Sequence, residues 1–235
     1  MRRQHLIFDA DDTLWENNVY FERAFDEFCV FLNHSSMTPD AIRTALDEIE
    51  IANNRIHGYG ALNYGRNLSQ CYLKLAERGV RENDLGVVMS YARRILSCPM
   101  ELLPDVAETL PALAEHHELT LFTKGHPDEQ SLKIDRSGLR PCFTHCAIVK
   151  EKNREAYLNL ANDRGFDLGR AWMIGNSPKS DINPALAAGM RAVFVPHERT
   201  WGLEKEELLS ETNGRLKIVR SFVELRELFA GPAGL

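Results

Sequence analysis

The stretch His5-Leu-Ile-Phe-Asp-Ala-Asp-Asp-Thr13 decides the fold, because a short, mostly apolar run leads directly into three carboxylates. The apolar residues His5 to Phe8 predict a short buried strand. If the chain stays extended beyond Phe8, side chains two residues apart point to the same side, so the carboxylates of Asp9 and Asp11 converge. Two carboxylates ~4 Å apart repel by ~4 kcal/mol at an effective dielectric constant of about 20. The pair therefore needs a shared proton or a cation, and Mg²⁺ fits such a site.

The composition is that of an ordinary globular protein. The chain has 235 residues, of which 44% are hydrophobic and 26% charged, so it is long enough for one domain or for a core with an insertion. Its net charge of −6 gives no reason to expect nucleic acid as a partner. Because the sequence contains neither a run of ~20 apolar residues nor a signal peptide, we expect no membrane association and a cytoplasmic location.

Two regions of different character follow the first strand. Residues 16–98 contain apolar residues at helical spacing and predict an all-helical insertion, with a glycine- and tyrosine-rich loop at residues 55–65. Thr38 before Pro39 predicts the start of a helix there. Residues 1–15 and 99–235 alternate between short apolar strands and helices. This alternation predicts an α/β core with a doubly wound parallel sheet and helices on both faces.

The polar motifs of the core each follow a predicted strand. Asp9 follows the first strand, Thr123 the second and Gly175 a later one. In parallel sheets of this kind, ligands bind beyond the carboxyl ends of the strands. The fold should therefore bring these motifs together.

The motifs and their order resemble those of the haloacid dehalogenase superfamily. The resemblance rests on Asp9-Ala-Asp11-Asp-Thr13, Thr123-Lys-Gly125, a following lysine, and Gly175-Asn-Ser-Pro-Lys-Ser-Asp181. It covers the whole chain, since the helical stretch after Trp15 resembles the helical (C1-type) cap that this family inserts after its first motif. It implies a Rossmann-like core and a cap that covers the site.

The resemblance also implies roles for the first motif. Asp9 would be the nucleophile that becomes an aspartyl-phosphate, and Thr13 would help to bind phosphate. Asp11 would protonate the leaving alkoxide and then act as general base for water. A covalent step of this kind divides one difficult displacement into two easier ones.

The second and third motifs would hold the phosphate. The Thr123 hydroxyl and the backbone N–H groups of Lys124 and Gly125 would donate to phosphate oxygens. The family lysine has two candidates, Lys150 and Lys152. We favour Lys152, because the family lysine commonly precedes a helix by about two residues and a helix is predicted from residue 154.

The fourth motif departs from the family pattern. Many members have Gly-Asp where this chain has Gly175-Asn176. By resemblance, Mg²⁺ would bind Asp9, the backbone carbonyl of Asp11 and Asp181, and Asn176 would orient a coordinated water.

Together these features predict a Mg²⁺-dependent phosphatase that acts on a small-molecule phosphate ester. The alternatives are a 2-haloacid dehalogenase-like or other hydrolase of the superfamily, and a non-catalytic phosphate-binding scaffold. Asp11 favours the phosphatase, because an alkoxide leaving group needs a proton and a halide does not. Four residues of the insertion are the candidate contacts to the leaving group: Arg55, Tyr59, Tyr64 and Arg66.

Overall fold

The computed structural model describes residues 3–230 and divides the chain into two compact units. The α/β unit comprises Met1–Glu16 and Met100–Leu235, and the helical unit comprises Asn17–Pro99. Each division lies one residue later than the boundary that we expected from the sequence.

The α/β unit contains a parallel sheet of six strands within the described residues, which confirms the predicted fold class. The strand order is β3-β2-β1-β4-β5-β6. All pairings are parallel, but the chain adds strands on one side of β1 up to β3 and on the other side from β4 onward. The gap between β1 and β4 is therefore a topological switch point, and ligands bind at such points in doubly wound sheets. The strands are β1 (His5–Phe8), β2 (Glu118–Lys124), β3 (His145–Val149), β4 (Ala171–Gly175), β5 (Arg191–Phe194) and β6 (Leu216–Ile218).

Helices cover both faces of this sheet because its central strands are apolar on both sides. Leu6 and Phe8 point to one face and pack with apolar residues of α5, α6 and α9. Ile7 points to the other face and packs with residues of α7 and α8, as the two-residue period of a strand requires. These helices are α5 (Val106–Ala114), α6 (Pro127–Ser137), α7 (Arg154–Arg164), α8 (Asn183–Ala187) and α9 (Glu224–Ala230).

The helical unit packs four helices around a separate apolar cluster. Thr38 caps α2 as predicted, since its hydroxyl accepts the backbone N–H of Ala41. The predicted loop at residues 55–65 was wrong, because α2 continues to His57 and α3 begins at Ala61. The helices are α1 (Asn18–Leu32), α2 (Pro39–His57), α3 (Ala61–Leu75) and α4 (Asp84–Ile95).

A carboxylate is buried inside the helical unit, which the sequence pattern did not indicate. Glu50 on α2 is 4% exposed, and its Oε2 has no hydrogen-bond partner among the described residues. Burial raises the pKa of Glu50 to about 8, and the nearby charges of Asp47 and Glu22 act in the same direction against Arg43. The folded protein therefore holds Glu50 as a neutral acid at neutral pH.

Glu50→Gln should stabilise the protein more at pH 8 than at pH 5. Because the folded pKa lies above the ordinary value of 4.5, the unfolded chain loses its proton first, and stability falls as pH rises from about 4.5 to about 8. Glutamine does not titrate, so its advantage in unfolding free energy should grow by more than ~1 kcal/mol over this range. Urea denaturation at both pH values measures it. Glu48→Gln, which changes an exposed carboxylate on α2, is the control, and equal pH dependence in both variants would contradict the prediction.

Candidate active site

The candidate site lies at the switch point of the sheet, where the segments after β1 and β4 are joined by hydrogen bonds. The Asp9 N–H donates to the carbonyl of Ile174 at 2.9 Å, and the Asn176 N–H donates to the Thr13 hydroxyl at 3.1 Å. On the other side, the Gly125 N–H after β2 donates to the carbonyl of Val149 at the end of β3 at 3.1 Å. These bonds hold the segments that carry the predicted motifs close together at the carboxyl end of the sheet.

A single ammonium group joins two of the predicted carboxylates. Lys152 Nζ donates to Asp9 Oδ1 and to Asp181 Oδ1, and all three residues are buried. Lys152 precedes α7 by two residues, and Asn153 caps that helix through its side-chain oxygen. Lys150 is exposed. Of the two candidate lysines, the geometry therefore favours Lys152.

With both carboxylates ionised, this cluster carries one more negative charge than positive charge. Burial by itself lowers the pKa of Lys152, but Asp181 and Asp9 outweigh it and hold the lysine protonated. Burial and the charge of Asp9 raise the pKa of Asp181 to about 7, although Lys152 acts in the opposite direction. One ammonium group thus leaves the two carboxylates incompletely neutralised, which is the electrostatic condition that a bound divalent cation relieves.

The oxygen atoms around this cluster fit Mg²⁺, which prefers carboxylate and carbonyl oxygens. The Thr13 hydroxyl lies 3.1 Å from both Asp9 Oδ2 and Asn176 Oδ1. The Asn176 amide nitrogen donates to Thr200 Oγ1 at 2.9 Å, so its oxygen faces Thr13. Asn176 therefore presents a neutral oxygen where a carboxylate would add charge.

Three further side chains form a separate group with metal-ligand chemistry. One donor atom from each of Asp12, Glu16 and His197 lies within 4.8 Å of the others. His197 Nε2 is 3.7 Å from Glu16 Oε2, and Asp12 adopts the left-handed backbone conformation with φ of 59°. The sequence did not predict these residues as ligands.

Asp11 does not share Lys152 with Asp9 and Asp181 but has its own partners. Lys133 Nζ lies 2.6 Å from both carboxylate oxygens, Gln130 Nε2 donates to Oδ2 at 2.8 Å and Trp15 Nε1 donates to Oδ1 at 2.7 Å. Burial raises the pKa of Asp11, but the Lys133 ammonium and these hydrogen bonds lower it below its ordinary value. Asp11 is therefore ionised in this arrangement.

The expectation that one cation compensates both Asp9 and Asp11 has to be corrected. β1 ends at Phe8, and a turn begins at Ala10, whose carbonyl accepts the N–H of Leu14 at 2.8 Å. The extended conformation that would aim both side chains at one ligand ends before Asp11. As a result, Asp9 pairs with Lys152 and Asp11 pairs with Lys133.

Gln130 connects Asp11 to the predicted phosphate-binding turn. Its Nε2 lies 3.2 Å from Thr123 Oγ1 and 2.8 Å from the carbonyl of Lys124. Gly125 has φ of 151°, and a Cβ there would lie 2.8 Å from the Gln130 side chain. Glycine is therefore required both by the backbone conformation and by the close approach of Gln130.

Several residues that hold the site together were not predicted from the sequence. Gln130 and Lys133 lie three residues apart on α6, and this spacing on one helix face was the available signal. Lys124, predicted to act through its backbone, also donates its ammonium to Glu204 Oε1 at 2.5 Å. No pattern in the sequence indicated Glu204.

The four candidate substrate residues lie in the helical unit and differ in exposure. Arg55 and Arg66 are exposed and Tyr59 is half-buried. Tyr64 is 4% exposed, and its hydroxyl donates to the carbonyl of Phe21 at 3.3 Å. Since that hydroxyl is already bound inside the unit, we withdraw Tyr64 as a substrate contact.

Comparison with known proteins identifies the family. The model of the haloacid dehalogenase-like hydrolases matches residues 4–189. The chain belongs to this family. It is 24% identical over 205 residues to the pyrimidine 5'-nucleotidase YjjG of Escherichia coli (strain K12). The aligned region covers 83% of this chain and 87% of that protein.

Solved structures of haloacid dehalogenase-like proteins share the fold. A family hydrolase from Xanthomonas campestris superposes with a TM-score of 0.81 at 27% identity, covering 97% of this chain and 96% of that one. The putative hydrolase YfnB from Bacillus subtilis, bound to magnesium, gives a TM-score of 0.69 at 19% identity, covering 98% and 100%. Dehalogenases at 14–18% identity also share the fold. Within residues 3–230, no helix combines the length and the apolar character needed to cross a membrane.

Gly175→Ala should destabilise this hydrolase through the buried charge cluster. A Cβ on Gly175 would lie 2.3 Å from Asp181 Oδ2, so Asp181 must shift from the position in which it binds Lys152. We expect a loss of ~1–3 kcal/mol or more in unfolding free energy, as for other overpacked sites. Gly169→Ala is the control, because its Cβ would meet its nearest atom at 3.5 Å. Equal stability of the two variants in urea denaturation would show that Asp181 is not confined as described.

Proposed function

We propose that the chain is a Mg²⁺-dependent phosphatase that hydrolyses a small-molecule phosphate monoester through an aspartyl-phosphate on Asp9. One observation carries the proposal: the Asp9 carboxylate is buried at the switch point and oriented by Lys152 and Thr13. A carboxylate fixed in this way does not have to be ordered or desolvated during the reaction, and phosphoryl transfer depends chiefly on such alignment and on charge neutralisation.

In the first step, an oxygen of Asp9 attacks phosphorus and the bond to the leaving oxygen breaks. Lys152 keeps the carboxylate in place and offsets the charge of the incoming phosphate. Thr123 and the backbone N–H of Lys124 hold the phosphate oxygens. The Gly125 N–H, which we expected to share this role, donates to the carbonyl of Val149 instead. Mg²⁺ held by Asp9, Asp181 and the Asp11 carbonyl, with Asn176 beside it, would neutralise charge on the phosphate.

Asp11 handles the protons in both steps. Asp11 is ionised while Lys133 is bound to it, so it first takes up a proton from water when that contact is lost. It gives this proton to the leaving alkoxide and then, as a carboxylate, takes one from the water that hydrolyses the aspartyl-phosphate. Lys133, Gln130 and Trp15 occupy its oxygens in this structure, so at least one of these contacts has to be exchanged for the reacting oxygen. The Asp11–Lys133 pair is partly exposed, at 21% and 25%, which makes this exchange less costly than breaking a fully buried pair.

The residues at the carboxyl end of the sheet favour a phosphatase over the alternatives. A dehalogenase releases a halide and does not need Asp11, whereas an alkoxide requires its proton. A non-catalytic scaffold does not need a nucleophile, yet Asp9 is positioned by two donors.

The proposed substrate is a small phosphate ester, and three of the four residues predicted from the sequence stay candidates for contact with its leaving group. Arg55, Tyr59 and Arg66 are the proposed contacts, and the two arginines suit a second anionic or polar group. Because YjjG is a pyrimidine 5'-nucleotidase, nucleoside monophosphates are the first substrates to test. A cytoplasmic location is part of the same proposal.

Asp9→Asn should abolish phosphatase activity, because the amide cannot form the phosphoenzyme. We expect the wild-type protein to hydrolyse at least one compound in a panel of phosphorylated metabolites, to lose activity in EDTA and to regain it with Mg²⁺. Mass spectrometry of acid-quenched wild-type protein should detect a phosphorylated Asp9. Asp128→Asn, which changes an exposed carboxylate on α6, is the control and should retain full activity. Undiminished activity of Asp9→Asn would refute the mechanism.

Asp11→Asn should reduce activity according to the leaving group. For an alkyl phosphate, kcat/KM should fall by ~10²–10⁴-fold, the usual contribution of general acid–base catalysis. For p-nitrophenyl phosphate the loss should be much smaller, since nitrophenolate leaves without a proton and kcat/KM reports the phosphoenzyme-forming step. Asp128→Asn again serves as control. An equal loss for both substrates would argue against Asp11 as the proton donor.

A further inference from the structure

Glu204 is a buried carboxylate that the proposed mechanism does not use. It lies at the end of a short 3-10 helix after β5, and its side chain is 10% exposed. Its two oxygens bind different parts of the site: Oε1 accepts from Lys124 Nζ at 2.5 Å and Oε2 accepts from the Ser177 hydroxyl at 2.6 Å. One side chain thus connects the end of β2 with the loop that follows β4.

Further hydrogen bonds extend this connection on the β4 side. Lys124 Nζ also donates to Ser180 Oγ at 3.0 Å, so Lys124 itself reaches the β4 loop. The Ser177 N–H donates to Asp181 Oδ2 at 2.9 Å, and Asp181 Oδ1 accepts from Lys152. A continuous series of contacts therefore runs from Glu204 through Ser177 and Asp181 to Lys152, which also binds Asp9.

On the β2 side, Lys124 is part of the proposed phosphate-binding turn. It lies between Thr123 and Gly125 in the sequence, and its carbonyl accepts a hydrogen bond from Gln130 Nε2. The Lys124 side chain is 13% exposed, so its ammonium needs a partner that stays in place. Burial raises the pKa of the Glu204 carboxyl, but the Lys124 ammonium outweighs this effect and holds the pKa below its ordinary value. The pair is therefore ionic.

We infer that Glu204 is a positioning residue of the active site, which fixes the phosphate-binding turn after β2 relative to the loop that carries Asp181. This inference rests on the proposed function. The turn after β2 would bind the phosphate oxygens, and the β4 loop carries Asp181, which would hold the Mg²⁺ that neutralises charge on the same phosphate. A small change in the separation of the two loops therefore weakens binding of the phosphoryl group. Glu204 acts through Lys124 and Ser177 and does not contact the substrate.

Glu204→Gln tests the inference, because it keeps the size of the side chain and removes its charge. The ion pair between Lys124 and Glu204 is lost, so the turn should shift. We expect KM for the phosphate ester and the inhibition constant of inorganic phosphate to rise together by about tenfold or more, as for other small misplacements of binding groups. Glu206→Gln is the matched control, since it removes an exposed carboxylate two residues further along and should leave both constants unchanged.

The double variant Lys124→Met/Glu204→Gln separates positioning from stability. It leaves no unpaired buried charge, so its thermal stability should return toward that of the wild type, while KM and the phosphate inhibition constant should stay raised because the two loops are no longer joined. This variant also decides the question if Glu204→Gln alone does not fold.

Two outcomes would overturn the inference: KM unchanged in Glu204→Gln, or recovery of KM together with stability in the double variant. An inactive wild type would instead reject the proposed phosphatase function, so the two failures are distinguishable.

Discussion

The ammonium group of Lys152 is the interaction on which the rest of the site depends. Lys152 follows β3, whereas Asp9 follows β1, and β2 lies between these strands. Neighbouring strands are ~4.8 Å apart, so only a long side chain can span the end of β2. Lys152 Nζ passes 3.4 Å from the carbonyl of Phe122 in β2 and reaches both Asp9 and Asp181. Removing this buried charge would leave two carboxylates unpaired, which typically costs ~3–5 kcal/mol.

The same interaction explains why Asn176 is compatible with the site. With Asp9 and Asp181 sharing one ammonium, the cluster already has an excess negative charge. A third carboxylate at position 176 would add to this excess in a buried setting, whereas an amide supplies an oxygen without charge. Asn176 directs that oxygen to Thr13 because its nitrogen is bound to Thr200. The departure from the family pattern therefore lowers the electrostatic cost of the site.

The fold could be predicted because the spacing of apolar residues and the positions of the motifs can both be read from short stretches of the sequence. β1 and α7 lie where the pattern placed them, and the order of motifs indicated one end of a parallel sheet. The partners of the motifs could not be predicted, because they are set by tertiary contacts between distant segments. Gln130 and Lys133 reach Asp11 across more than one hundred residues, and Glu204 reaches Lys124 across eighty. The loop predicted at residues 55–65 failed for a different reason: glycines and tyrosines that favour loops lie within or beside α2 and α3, where packing outweighs local preference.

The separate partners of Asp9 and Asp11 suit the different tasks that the proposed mechanism gives them. Asp9 must keep one orientation, and its lysine partner is almost fully buried, with a side chain 2% exposed. Asp11 must gain and lose a proton, and its partner Lys133 is 25% exposed, so water can replace it at low cost. Had one cation held both carboxylates, as the spacing of the motif suggested, freeing Asp11 would also have loosened Asp9. Because β1 ends before Asp11, the nucleophile stays fixed while the proton-transfer group can move.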